Sequence, residues 1–184
     1  MATMYQNGRV IQDPAIINTL LNSPRAAWIW LIVRVWLGYK WVDASLLKLN
    51  NPDWTQTGEA LRQFWASSLQ IPAEGISSEW YRTFIQFMLD AEVHTWLAKL
   101  VVYGELIIGI ALILGAFTGI AAFIGGFVNW NFMVAGSAST NPLLFVSALG
   151  LVMAWKVAGY TGLDYFLLPA IGTPWGRKNK KYSS

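Results

Sequence analysis

Apolar residues run along the chain in four long stretches, at about 26–47, 97–114, 118–135 and 142–158. A polar and aromatic connector over 50–96 separates the first two, and short links separate the others. Each stretch is near the roughly 20 residues that cross a bilayer core as a helix. The pattern predicts an all-α protein, an integral membrane four-helix bundle forming a single domain over 1–184. Ser23-Pro24 and Asn141-Pro142 open the first and fourth stretches with a capping residue followed by proline at the first helical position. The link Gly115-Ala-Phe-Thr118 is so short that the second and third stretches form an antiparallel hairpin. Four crossings place both termini on one side.

The segments between and around the spans have their own periodicity. Asp13-Pro14 opens an N-terminal amphipathic helix in which Ile16, Ile17, Leu20 and Leu21 share one face. The connector predicts two short interfacial helices, at about 57–69 and 78–92; in the second, Trp80, Phe84, Phe87, Met88 and Ala91 recur at helical spacing. A Gly-rich turn, a short apolar piece at 163–171 and a basic tail at 176–184 follow the fourth span. Gly104, Gly109, Gly115, Gly119, Gly125 and Gly126 lie through the hairpin, which is therefore expected to be the tightest contact of the bundle.

Composition supports the membrane reading, since 55% of the residues are hydrophobic and only 12% charged. Eleven Trp and seven Tyr suit a protein with many ring positions at the headgroup level. The absence of Cys excludes disulfides, reactive thiols and thiolate-held metal clusters, and a single His, His94, leaves no bis-histidine haem pair. No metal, haem or dinucleotide is expected, the last because no Gly-rich fingerprint follows a strand. The net charge of +3 comes from the tail residues Arg177, Lys178, Lys180 and Lys181 beside the spans, a pattern of membrane topology rather than of nucleic-acid binding. With only Arg62 and Arg82 as cations in the connector, the termini are expected to be cytoplasmic and the connector outside. Residues 1–25 show no signal-peptide pattern.

The polar residues within the spans carry the functional information, because such groups in hydrocarbon usually face a bundle interior and a partner. The first span holds Arg34, Lys40 and Asp43, the second Glu105, the third Asn129 and Asn131. At about 1.5 Å per residue, Glu105 lies roughly 12 Å below the outer surface, nearly level with Lys40 and within long-side-chain reach of Arg34. Two readings stand: an internal ion pair that keeps the helices in register, or a proton relay and head-group contact for a lipid-soluble redox ligand. Asn129 and Asn131 cannot share a face, so one is expected in the bundle and the other against a neighbour or the interface. The hydroxyl-rich run Gly136 to Pro142 reads as helix capping, with an anion site as the alternative. His94 and Asp90 read as solvated interfacial groups, with proton exchange as the alternative.

Several stretches together resemble the DoxX family of small four-span membrane proteins, and within it the DoxD-type branch described as the membrane subunit of thiosulfate:quinone oxidoreductase. They are Leu37-Gly38-Tyr39 with Trp41, Ala44 and Lys48; Tyr103-Gly104-Glu105-Leu106 through Gly109 to Gly115; Asn131-Phe-Met133; Gly136 to Pro142; and Ala154 to Tyr160 with Gly162-Leu-Asp164 and Gly172 to Trp175. The resemblance implies a bacterial or archaeal plasma-membrane protein, a diffusible quinone as electron acceptor, oxidation of thiosulfate to tetrathionate, and a small single-span partner subunit. On that reading Arg34 or Lys40 stabilises the developing quinol oxyanion and Glu105 delivers the proton. The head group is then held among Trp41, Tyr103, Asn129 and Trp130. Thiosulfate is a dianion and the connector is acidic, so Lys48 and Lys99, with Arg62 or Arg82, are expected to form its anion site. The chain has no electron carrier of its own, so transfer is direct or runs through a partner. The competing reading is a non-catalytic accessory subunit packed against a larger respiratory or photosynthetic membrane complex, with a homo-oligomer as a further arrangement.

Overall fold

The computed structural model describes residues 4–6, 9–11, 13–71, 79–137 and 139–171. Two three-residue strands, β1 (Met4–Gln6) and β2 (Arg9–Ile11), pair antiparallel with Tyr5 opposite Val10. Every described element after them is a helix. Helix α1 (Ala15–Asn22) starts after Pro14, and Asp13 makes no cap, so the expected Asp N-cap is replaced by a proline-led start. Ser23 does cap: its Oγ accepts from the Arg25 amide at 3.3 Å and begins a 3-10 turn, Pro24–Ala26, that runs into α2 (Ala27–Leu49). The described residues of the connector form three helices. The short α3 (Pro52–Thr55), led by an Asn51 side chain that accepts from the Asp53 amide, precedes α4 (Glu59–Gln70) and α5 (Glu79–Asp90).

Helix α6 (His94–Leu114) begins three residues earlier than its hydrophobicity predicts, and α7 (Thr118–Val134) follows after the tight turn. The fourth apolar stretch is not continuous. Its α8 (Asn141–Met153) ends at Ala154, whose backbone leaves the helical region, and the one-turn α9 (Trp155–Ala158) continues from there before α10 (Asp164–Ala170). Among the described helices only α6 is long and apolar enough by itself to cross a membrane. Arg34, Lys40 and Asp43 lower the mean hydropathy of α2, whereas α7 and α8 are apolar but shorter. The basic tail and the stretch Gly172 to Trp175 lie outside the described residues.

Helices α2, α6, α7 and α8 close into a bundle in that order, with α2 packed most extensively on α6 and α7 on α8. The two helices of the hairpin touch each other less, contrary to the expectation from their glycines. Close backbone approach occurs instead between α2 and α6. A Cβ on Gly38 would lie 2.8 Å from the Gly109 carbonyl oxygen, and one on Gly109 would lie 2.8 Å from the Val42 nitrogen. Gly104 has open space where its side chain would be. Two apolar cores result: one inside the bundle around Leu37, Trp41, Leu112 and Leu151, and one beneath the connector around Leu61, Trp65, Tyr81, Ile85 and Ala98.

Polarity is distributed inside out. Arg34, Ser45, Glu105, Thr118, Asn129 and Asp164 are buried, while Ile107, Ile120, Phe123, Val146 and Met153 are exposed. Each buried charge has to be satisfied by neighbouring backbone or side chains. At the turn end of the bundle this is done by a clasp. Arg34 Nη1 donates to the carbonyls of Leu112 and Ile113 at 2.9 and 3.2 Å, taking up free acceptors at the C-terminus of α6. The Asp164 carboxylate accepts from the Phe117 and Thr118 amides at 2.5 and 2.9 Å, capping the N-terminus of α7 from 46 residues away. The Leu163 and Asp164 amides donate in turn to the Leu114 and Gly115 carbonyls.

Gly115 sits at the centre of this clasp with φ +70, and a Cβ there would fall on the Arg34 guanidinium. Gly115→Ala combines backbone strain with displacement of a buried cation, so we expect a loss of at least about 2 kcal/mol. Thermal unfolding in detergent followed by circular dichroism measures it; an unchanged midpoint would show that the clasp contributes nothing to stability.

Candidate functional site

The buried face of α2 repeats as Arg34, Leu37, Gly38, Trp41, Ser45 and then Lys48, the side that meets α6. Ser45 Oγ donates to the Val102 carbonyl at 3.0 Å and fixes the register of the two helices. One turn further along, Lys48 Nζ reaches back to both carboxylate oxygens of Glu105, at 2.5 and 2.6 Å. The side chain of Glu105 is 1% exposed and that of Lys48 19%. Lys48 is also held between two rings, its ammonium 5.0 Å from the Trp54 centroid on α3 and 5.1 Å from that of Phe132 on α7. Such cation–π contacts reinforce a desolvated lysine by roughly 1 kcal/mol each.

Beside this pair lies a cavity of about 420 Å³ between α4, α5, α6 and α7, a size suited to a small organic ligand. Its walls are almost entirely apolar, including Phe64, Trp65, Ile85, Met88, Ile108 and Val128, and Gly104 leaves part of one wall bare. Its polar groups are the Glu105 carboxyl, the Asn131 amide and the Tyr81 phenol. Tyr81 donates to the Asn131 carbonyl at 3.1 Å, and burial raises its pKa, so it remains a neutral hydroxyl. Phe84, Leu100, Ile124 and Phe127 line the cavity and are themselves exposed, so its mouth opens through apolar side chains between α5, α6 and α7.

The expected partners of Glu105 are not those found. Lys40 points to the outside of α2 and is exposed. Arg34 is fourteen residues from Lys48, about 21 Å along the helix, and belongs to the clasp at the opposite end. Side-chain depth alone misjudged the pairing, because antiparallel register and helix rotation together bring Lys48 to Glu105. The expected anion site does not assemble either. Lys48 is committed to Glu105, Lys99 stands exposed on α6, Arg62 is paired with Glu59 at 2.7 Å, and Arg82 donates to the Leu69 and Ile71 carbonyls at the end of α4.

The four expected head-group contacts are scattered. Trp41 is buried in the bundle core and Asn129 is buried on α7, and neither the Trp41 Nε1 nor the Asn129 Nδ2 has a hydrogen-bond partner among the described residues. Tyr103 faces outward, 52% exposed. Trp130 joins an aromatic group on the outer face, stacked on Phe127 at 5.8 Å and Trp80 at 6.4 Å. Asn131, as expected, is turned to a different neighbour from Asn129. Asn141 donates its amide to Ser137 rather than capping α8. Asp90 accepts from Gln86 at 2.8 Å. Tyr81 and Trp54 were not singled out from the sequence, Phe132 entered only within the family resemblance, and Gly104 was read as a helix contact rather than as cavity wall. The seven-residue step from Trp41 to Lys48 was the available signal for Lys48, since it returns a helix to nearly the same face.

These features define a helical bundle that encloses an apolar ligand-sized cavity around one buried carboxylate. The DoxX family model matches residues 29–135, more than half the chain, and the chain belongs to the DoxX family. Membership fits a membrane-associated, oxidoreductase-linked subunit, and α6 supplies a helix able to cross a bilayer. Comparison with curated proteins and with solved structures gave no match.

Two outcomes follow from the pairings. Removing one member of the Lys48–Glu105 pair strands the other in apolar surroundings and is expected to cost about 3–5 kcal/mol, whereas the double variant Lys48→Met with Glu105→Leu costs far less. Denaturant unfolding of the three variants measures the difference, and additive losses would show that the pair is not coupled. The Arg62 guanidinium holds the Glu59 carboxyl down to about 2. Its contribution is therefore present above the ordinary carboxylate range and lost as the pH falls toward 2. A carbon-detected NMR titration should show this midpoint return to the ordinary range in Arg62→Ala.

Proposed function

We propose that this chain is the quinone-binding membrane subunit of an oxidoreductase of the thiosulfate:quinone type. The observation that carries the reading is the apolar cavity with a single buried carboxyl, open through apolar side chains rather than through a polar mouth. In this reading α2, α6, α7 and the α8–α9 pair cross the bilayer, the exposed Ile, Phe and Val side chains face lipid, and both termini are cytoplasmic. The inside-out distribution of polarity supports it, because exposed apolar surface of this extent marks contact with lipid or another protein.

A quinone ring arriving from the bilayer would enter between α5, α6 and α7 and present one carbonyl oxygen to Glu105 and the other to the Asn131 and Tyr81 end. Two thiosulfates lose one electron each and join through a new S–S bond, giving tetrathionate. The quinone takes up those two electrons and two protons. Glu105 supplies a proton as charge develops on the quinone oxygen, and the aromatic walls hold the ring flat. Lys48, Lys99, Arg62 and Arg82 are dispersed or committed elsewhere, so the dianion is assigned to a partner subunit. The accessory reading, with all redox chemistry in a larger complex, is favoured by one observation: the sequence has no Cys and a single His.

Trp65 and Trp80 flank the cavity region, so binding of a short-chain quinone to purified protein should quench tryptophan fluorescence saturably. A Cβ at Gly104 meets no atom within 4 Å, so Gly104→Leu adds its side chain from an open position in the cavity wall. It should leave helicity and melting unchanged while weakening quinone binding at least about tenfold. Thiosulfate added to the protein in its native assembly should yield quinol and tetrathionate. No saturable quenching in the wild type, together with fixed stoichiometry in a larger complex, would favour the accessory reading.

A further inference from the structure

The Lys48–Glu105 pair has a geometry that a register pin does not require. One member lines the cavity and is sealed from water; the other bonds it through both oxygens and is itself partly open on the connector side. No hydroxyl, amide or second carboxyl is bonded to Glu105 among the described residues. Tyr81 also borders the cavity, but its hydroxyl is turned to Asn131. The elements packed around the pair present rings to Lys48, Trp54 from α3 and Phe132 from α7. Among the described residues Lys48 is therefore the polar bridge between the cavity carboxyl and the exterior.

We infer that Lys48 is the relay residue through which Glu105 exchanges protons with water at the connector end of the bundle. This deepens the quinone reading by assigning the proton path of that site, and it rests on that reading only for the identity of the final acceptor. The step is a single transfer across the short hydrogen bond. An ammonium proton passes from Nζ to a Glu105 oxygen, which leaves a neutral amine beside a neutral carboxylic acid and does not change the net charge of the pair. The acid then donates to an oxygen of the bound ligand. The amine regains a proton from water through its exposed side, and the charged pair is restored. The two rings that cage Nζ hold it on the carboxylate and exclude an unselective water path. Lysine suits the task because its proton is labile once desolvated; arginine holds its proton at any physiological pH.

Time-resolved infrared spectroscopy of the full chain in lipid vesicles tests this without any quinone. After a pH drop, the carboxylic acid band of Glu105, identified by its absence in Glu105→Gln, should appear within the mixing time in the wild type. In Lys48→Arg, which keeps the charge pairing but does not release its proton, its appearance should slow at least about tenfold. Lys48→Met, in which the unpaired Glu105 is already the neutral acid, is the second variant: after transfer to D2O its acid band should shift at least about tenfold more slowly than that of the wild type at low pH. Equal rates in wild type and either folded variant would overturn the relay. Fluorescence quenching by a short-chain quinone, measured on the same samples, separates the two ideas: a relay without quinone binding removes the quinone reading alone, and binding without rate change removes the relay alone.

Discussion

A charge placed among apolar helices has to be answered within the molecule, and that constraint organises both ends of this bundle. At the turn end the answer is backbone: Arg34 takes the last carbonyls of α6, and Asp164 takes the first amides of α7. At the connector end the answer is a side chain, with Lys48 bonded to Glu105 and caged by two rings. The first arrangement satisfies groups that every helix end leaves free. The second satisfies a carboxylate that no helix end required, and it stands on the wall of a cavity. That difference distinguishes the two charges more clearly than burial does, since Arg34 and Glu105 are almost equally buried.

The fold was largely legible because helical periodicity and apolar run length are local properties. Ser23-Pro24, the Gly115 to Thr118 turn and the two connector helices appear close to where the pattern puts them. What escaped was set by three-dimensional packing. The break at Ala154 lies inside an uninterrupted apolar run, so hydropathy carries no mark of it. The rotation of α2 decides between Lys40 and Lys48 as the partner of Glu105, and a depth estimate contains no rotation. The glycines of the hairpin were read as one contact surface, yet Gly38 and Gly109 serve the α2–α6 approach while Gly104 opens a cavity.

The site was legible only in its central residue. Glu105 stood out because a carboxylate in an apolar run is costly, but Tyr81 and Trp54 come from the connector, where aromatic residues are common and carry no special signal. Their importance is that they arrive from outside the bundle: α4 and α5 supply part of the cavity wall, and α3 brings Trp54 onto Lys48. Family membership covers residues 29–135 and so includes this connector together with α2, α6 and α7. The clasp residue Asp164 lies beyond that stretch.

That position gives the clasp a temporal side. The turn between α6 and α7 is capped by a residue 46 positions downstream, and its carbonyls are filled by Leu163 and Asp164. As the chain emerges from the ribosome N-terminus first, the hairpin exists before the residues that complete it. Its inner helix ends therefore wait uncapped, with the Arg34 cation lacking its nearest carboxylate, until α8 and α9 have been made and α10 has folded back. The last described helix is thus the one that closes the bundle, and the order of synthesis is also the order in which its buried charges become neutralised.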